Sequence, residues 1–168
     1  MNSVSIVLLC LGSNMGDRLH MLKQAIRALD IHESIRVLRS SSVYESDAWG
    51  LTEQPKYLNI VVEIETALTP LELLNSVKDM EQCLGREPSE RWGPRSIDID
   101  LILWGNHCMR TPELTLPHEY FRDRAFVLMP LAEIAPAAVD PESGMTVTAL
   151  ADRLDSRGLV QITGPLYS

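Results

Sequence analysis

A chain of 168 residues that is 45 % apolar supports one full hydrophobic core but not two ordinary domains, so a single domain over residues 1–168 is expected. The formal net charge of −8 excludes a general nucleic-acid binder and a protein drawn to anionic membranes, and any anionic substrate must be met by a local basic cluster. Cys10, Cys83 and Cys108 are odd in number and widely spaced, which gives neither a disulfide framework nor a zinc motif and fits a reducing cytoplasm.

The run from Val4 to Leu11 is apolar, has no basic leader and is too short to span a bilayer, so it reads as a buried first strand. Gly12-Ser13-Asn14 stops it and leads into a helix from about Gly16 to Asp30, with Leu19, Leu22, Ile26 and Leu29 on the inner face. Strand-turn-helix junctions are places where phosphates dock. The lysine and second glycine of a Walker loop are missing here, so the junction reads as a plain turn capped by Ser13, Asn14 or Asp17.

A second strand is expected from about Ile35 to Tyr44, then a polar loop from Glu45 to Pro55 that is too long for a tight hairpin. Its large aromatic, Trp49, is either a local anchor or a lid over a planar ligand. Tyr57 to Ile64 is a third strand. Asn59 lies near its start, where the amide either reads a bound ring or bonds to backbone.

The next helix has the clearest ends. Thr69 is its N-cap, Pro70 its first residue, Glu72 closes a capping box and Gly85 ends it in the left-handed conformation. Leu73, Leu74, Val77, Met80 and Leu84 form the inner stripe. Glu81 borders that stripe, either as a snorkelling surface acid or as an acceptor for a nearby nucleotide.

Residues Gly85 to Trp104 organise the rest. Ile97 to Trp104 is rich in β-branched and apolar residues and reads as a buried strand. Side chains alternate along a strand, so Asp98 and Asp100 share one face. Such a pair is either two solvated residues on the open face of a sheet or, because neighbouring carboxylates repel, the ligands of a divalent cation with oxygen donors, above all Mg²⁺, that holds both ionised. Arg86, Arg91 and Arg95 precede them, Arg95 after a Trp92-Gly93-Pro94 turn; a carboxylate pair beside arginines suits a polyphosphate.

Beyond a turn at Gly105-Asn106-His107, Leu114 to His118 brings a basic or donor group back toward the strand end. His118, Arg122, Arg124 and Phe126 look like a second wall for an anion, followed by an apolar stretch from Val127 to Ala132. Thr146 to Leu154 reads as a helix and Leu159 to Ile162 as a short strand, neither carrying chemistry. The order β-α-β-β-α-β makes this an α+β protein with a ferredoxin-like core: a mainly antiparallel sheet, helices packed outside and C-terminal additions.

Gly12-Ser13-Asn14, Tyr57-Leu58-Asn59, Gly85-Arg86, the run Arg91-Trp92-Gly93-Pro94-Arg95-x-x-Asp98-x-Asp100, Leu116-Pro117-His118 and Arg124-x-Phe126 together resemble the 6-hydroxymethyl-7,8-dihydropterin pyrophosphokinase family. The resemblance spans roughly residues 5 to 140, in order. It implies transfer of pyrophosphate from ATP to the pterin hydroxymethyl group, with release of AMP, in folate biosynthesis. It further implies that Asp98 and Asp100 hold two Mg²⁺ ions, that Arg95, His118 and Arg124 meet the ATP phosphates, and that Glu81 and Trp92 belong to the nucleotide site. By the same resemblance the pterin lies between Tyr57 and Phe126, near Trp49, with Asn59 on its polar edge, and Arg86 and Trp92 sit on a closing catalytic loop. The chain departs from the family pattern at Glu87-Pro88-Ser89, where a basic residue is usual, and at Glu113 and Glu119, which add negative charge. Some family members are fused to other folate enzymes; this chain is expected to act alone, as a monomer. Two rivals share parts of the pattern: a ferredoxin-like small-molecule sensor, which leaves Arg95, Asp98 and Asp100 unexplained, and a metal-dependent phosphohydrolase, which needs no pterin.

Overall fold

The first apolar run is strand β1 (Ser5–Ser13), which ends two residues later than expected because Gly12 and Ser13 continue to pair. The computed structural model describes residues 3–47, 53–85 and 96–167. Helix α1 (Arg18–Ile31) starts at Arg18, since it is Asp17 that caps it, its carboxylate accepting from the His20 amide at 3.0 Å. The expected second strand is two, β2 (Ile35–Ser40) and β3 (Val43–Ser46), and β4 (Tyr57–Thr66) follows. Helix α2 (Pro70–Cys83) has the anticipated capping box, Glu72 N to Thr69 Oγ1 at 3.3 Å and Thr69 N to Glu72 Oε2 at 2.8 Å, and Gly85 leaves it at φ +91°.

Strand β5 (Asp98–Trp104) carries the paired aspartates. After it come β6 (Met109–Arg110), β7 (Thr115–Leu116), a 3-10 turn at Phe121–Asp123, α3 (Ala125–Ile134), α4 (Val147–Ala151) and β8 (Val160–Thr163). The main sheet runs β5-β1-β4-β3-β8, with β2 also on β4 and every pairing antiparallel. Counting β2 and β3 as one interrupted strand recovers the β-α-β-β-α-β core. The interruption has a local cause. Ser40, Ser41 and Ser42 are buried, and the Ser41 hydroxyl accepts from Val61 N at 2.9 Å while Ser41 N donates to Val61 O at 2.8 Å. Glu133 of α3 takes the Ser42 amide at 2.9 Å and its hydroxyl at 2.7 Å, so side chains replace the ladder bonds that the break removes.

Helices cover both faces of the sheet. On one, Leu22, Ile26 and Leu29 of α1 and Leu73, Val77 and Met80 of α2 pack on Val7, Leu9, Leu11, Ile60, Val62 and Ile64. On the other, Val127, Leu128, Leu131 and Ile134 of α3 with Val147 and Leu150 of α4 pack on Leu8, Cys10, Val61 and Ile102. Central strands buried on both sides carry unbroken apolar runs, and each fully buried leucine contributes about 2 kcal/mol of transfer energy. The edge strand β5 instead alternates at its start, with half-buried Asp98 and Asp100 beside buried Ile99 and Leu101. Helix α3 is the Val127–Ala132 stretch to which the sequence assigned no element; Pro130 lies inside it and interrupts the local helix signal. Among the described residues no helix is long and apolar enough to cross a membrane.

Candidate active site

The sheet register lines up the site. Gly12 of β1 faces Asn59 of β4 on one side and Asp98 of β5 on the other; one pleat further, Cys10 faces Val61 and Asp100. Neighbouring strands are about 4.8 Å apart, so Asn59 and Asp98 flank a lane about 10 Å wide whose floor is Gly12. The bare glycine is required there. A Cβ on Gly12 would lie 2.8 Å from Asn59 Oδ1 and 3.3 Å from Tyr57 Cδ1, because both side chains lean over the β1 backbone.

On the β4 side, Asn59 is buried and its amide donates to Ser46 Oγ at 3.1 Å, which fixes which edge of the amide faces the lane. Asn14, also buried, donates to Gln54 Oε1 at 3.2 Å and to Pro55 O at 3.1 Å. Arg18, at the start of α1, reaches Glu45 at 2.8 Å and Lys56 O at 2.9 Å. Tyr57 is half-buried on the same sheet face as Asn59, and α3 lies over that face with Phe126 partly buried in its first turn.

On the β5 side, a cleft of about 350 Å³ is lined by Asp98 and Asp100, by Leu74, Lys78 and Glu81 of α2, and by Glu113 to Thr115 and His118 to Tyr120. His118 Nδ1 accepts from Tyr120 N at 3.1 Å, which leaves Nε2 to carry the ring proton, 3.9 Å from Asp100 Oδ2. Burial, and then the neighbouring Arg124, lower the His118 pKa to about 4 against an opposing pull from Glu119, so the ring is a neutral donor rather than a cation. Arg124 is buried at the N-terminus of α3, its guanidinium 5.3 Å from the Tyr120 ring centre and 5.6 Å from that of Phe126. Burial lowers its pKa while Asp100, Cys10 and Asp98 pull it back up, which puts the guanidinium in the field of both aspartates. Burial and the charge of Asp100 push the Cys10 thiol far above its ordinary range, which makes it inert packing.

Glu81 turns out to be buried, 5 % exposed, and its Oε2 accepts from Ile99 N at 3.0 Å. It ties α2 to the backbone between the two aspartates and so holds their strand in register. Arg122, grouped with Arg124 in the sequence, faces elsewhere: its guanidinium grips fully buried Asp140 at 2.6 and 2.8 Å and reaches Glu142 at 3.1 Å. Thus Tyr57, Asn59, Glu81, Asp98, Asp100, His118, Arg124 and Phe126 collect at one end of the sheet. Trp49, Arg86, Trp92 and Arg95 lie outside the described residues. Ser46, Tyr120 and the bare floor at Gly12 escaped the sequence reading. A glycine continuing a strand pattern was the available signal for Gly12; Ser46 and Tyr120 had none, since their roles come from cross-strand and loop packing.

Among the described residues no group of three or more His, Cys, Asp or Glu is arranged to hold a metal. Two carboxylates alone suit a hard cation that takes its other ligands from phosphate and water, as Mg²⁺ does. The cleft lining points the same way: its described residues include Glu81, Asp98, Asp100, Glu113 and Glu119 against Lys78 as the permanent cation. Fold and site together define a small α+β protein that handles a charged ligand at a sheet edge, beside a hydrogen-bonding cradle.

A family model described as 7,8-dihydro-6-hydroxymethylpterin-pyrophosphokinase matches residues 8–136, and the chain belongs to that family. It is 45 % identical over 145 residues to the 2-amino-4-hydroxy-6-hydroxymethyldihydropteridine pyrophosphokinase of Synechocystis sp., covering 86 % of this chain and 74 % of that protein. It is 44 % identical over 152 residues to the protein of the same name from Methylorubrum extorquens, covering 90 % and 95 % respectively. Among solved structures, wild-type Plasmodium falciparum HPPK-DHPS with pteroate superposes with a TM-score of 0.75 at 15 % identity; the match takes in 94 % of this chain and 43 % of that one, and shows the fold.

Proposed function

We infer that this chain transfers the pyrophosphoryl group of ATP to the hydroxymethyl group of 6-hydroxymethyl-7,8-dihydropterin and releases AMP. The hydroxymethyl oxygen forms a bond to the β-phosphorus, the bond from that phosphorus to the α,β-bridging oxygen breaks, and the hydroxyl proton leaves to a base or water. The observation that carries the reading is the register Asn59–Gly12–Asp98: an amide and a carboxylate flank a bare lane within one family scaffold.

Each side chain then has a part. Tyr57 and Phe126 stack on the pterin, Asn59 bonds its polar edge, and Trp49 lies near it. His118, Arg124 and Arg95 meet the phosphates; a neutral His118 and a desolvated Arg124 donate hydrogen bonds to phosphate oxygens. Glu81 lines the nucleotide cleft and supports β5, along which the nucleotide lies. Arg86 and Trp92 are assigned to the catalytic machinery by the family resemblance alone. Asp98 and Asp100 would hold two Mg²⁺ ions, whose chemistry when bound is to neutralise the polyphosphate and steady the charge that develops on transfer. The fixed pose of the acceptor is the chain's own contribution. The protein acts as one catalytic domain and a monomer, in the cytoplasm; free Cys10, Cys83 and Cys108 support that setting.

The test is the nucleotide product from Mg²⁺-ATP with and without the pterin. AMP that appears only with the pterin is the expected result. ADP or inorganic phosphate formed regardless of pterin would replace the reading with a kinase or phosphohydrolase, and tight pterin binding without turnover would replace it with a sensor.

A further inference from the structure

Three segments that border the Asn59 side of the site meet at one cation. Arg18, the first residue of α1, is about a third exposed, and its Nη1 lies 2.8 Å from Glu45 Oε2 and 2.9 Å from Lys56 O. Glu45 is the penultimate residue of β3 and Lys56 immediately precedes β4, so the guanidinium ties together the two strands on either side of the connection between them. Its two partners each neighbour a residue of the ring cradle. Ser46, next to Glu45, accepts from Asn59 Nδ2 at 3.1 Å; Tyr57, next to Lys56, leans over Gly12. The register repeats the arrangement, since Ser46 pairs with Tyr57 and Glu45 with Leu58.

We propose that Arg18 is a positioning residue for the acceptor substrate: by clamping Glu45 and the Lys56 carbonyl it sets the spacing between the ends of β3 and β4, and with it the pose of Tyr57 and the Ser46–Asn59 pair. This rests on the pterin reading given above. Three features distinguish the clamp from an incidental surface ion pair. Both side chains are mostly covered, at 30 % and 24 % exposure; the same nitrogen also serves a backbone carbonyl; and the residues joined are 27 and 38 positions apart in sequence. A free carbonyl at Lys56 and an uncompensated Glu45 would let the ends of β3 and β4 splay, while the cleft around Asp98 and Asp100, two strands away, keeps its shape. The clamp therefore acts on one substrate and not the other.

The experiment measures binding of 6-hydroxymethyl-7,8-dihydropterin and of Mg²⁺-ATP separately, by equilibrium fluorescence and by steady-state kinetics, for wild type, Arg18→Ala, Glu45→Ala and the double variant. Arg18→Ala should weaken pterin binding and raise its KM about tenfold, with the KM for ATP unchanged, a split that a general loss of stability would not produce. Glu45→Ala, which leaves the Lys56 carbonyl bond in place, should cost about threefold, and the double variant should match Arg18→Ala rather than the product of the two. Arg18→Lys, which keeps the charge and the donors on a shorter side chain, should recover part of the loss. Equal weakening for both substrates, or pterin affinity unchanged in Arg18→Ala, would overturn the clamp. Thermal melts run alongside confirm that each variant is folded at the assay temperature; should Arg18→Ala not fold, the Glu45→Ala split alone decides. A wild-type protein that binds no pterin would instead overturn the functional reading itself.

Discussion

The two halves of the site are built in opposite ways. On the β4 side, Asn59 is held by Ser46, Asn14 by Gln54 and Pro55, and Arg18 by Glu45 and Lys56, so polar groups are matched within the protein before any ligand arrives. On the β5 side, Asp98, Asp100, Glu81, Glu113 and Glu119 share one cleft, and carboxylates exceed cations among the described lining residues. The first half is a preformed shape; the second is rich in carboxylates among its described residues. The two arrangements suit ligands of different chemistry. Fixed hydrogen bonds suit a planar, weakly charged ring, whereas half-buried carboxylates at a sheet edge suit the cations that accompany a polyphosphate.

Breaking the charged half should have the largest effect. Asp98→Ala or Asp100→Ala is expected to lower the rate of AMP formation by about 10³-fold or more, since charge neutralisation is the main task in phosphoryl-type transfer. Both residues are half-buried on an edge strand, so circular dichroism should show an unchanged fold; wild-type-like rates in either variant would sink the metal assignment.

Gly12→Ala attacks the boundary between the halves. A methyl 2.8 Å from Asn59 Oδ1 must push the amide aside, and the expected outcome is a rise of about tenfold or more in the acceptor KM with a smaller loss of stability. Unchanged acceptor kinetics would show that the lane is wider than the register implies.

A third test contrasts charge completed by ligand with charge completed by protein. Asp140 is fully buried; burial pushes its carboxyl up, but hydrogen bonds from Arg122, Ser143 and the Glu142 amide outweigh that and lower it from 3.8 to about 2. The folded pKa lies below the unfolded one, so the pair contributes about 2 kcal/mol above pH 4, lost as the pH falls from 4 through 2. Urea unfolding across that window should show the decline in wild type and a flatter profile in Asp140→Asn. The smallest effect belongs to the exposed Asp155–Arg157 pair at 2.7 Å, where Arg157→Ala should leave the melting temperature unchanged because solvent already screens both groups.

Much of this was legible beforehand, and the limits are instructive at particular residues. The paired aspartates on one face, and the helix from Thr69 to Gly85, depend on spacing and capping within a few residues, and they appear where expected. Glu81 was placed on the right helix, but the two readings open to it were a surface acid and a nucleotide acceptor. The answer, the Ile99 amide 18 residues away, requires knowing that α2 packs against the edge strand. Arg122 and Arg124 looked alike; a 3-10 turn and the start of α3 send one to Asp140 and the other to the aspartates.

By itself the sequence determined the element types, the β-α-β-β-α-β order and the carboxylate pair, because strand alternation, helix capping and apolar periodicity act over a few residues. Only the tertiary structure decided that the strand from Ile35 breaks at Ser40–Ser42, that a proline-containing stretch becomes the helix covering the second sheet face, and that Gly12 lies between Asn59 and Asp98. Each of these depends on partners far along the chain, such as Glu133, 91 positions from Ser42, whose choice is made by packing and by the need to satisfy buried polar groups. Local rules carry no information about which distant group will be there to satisfy them.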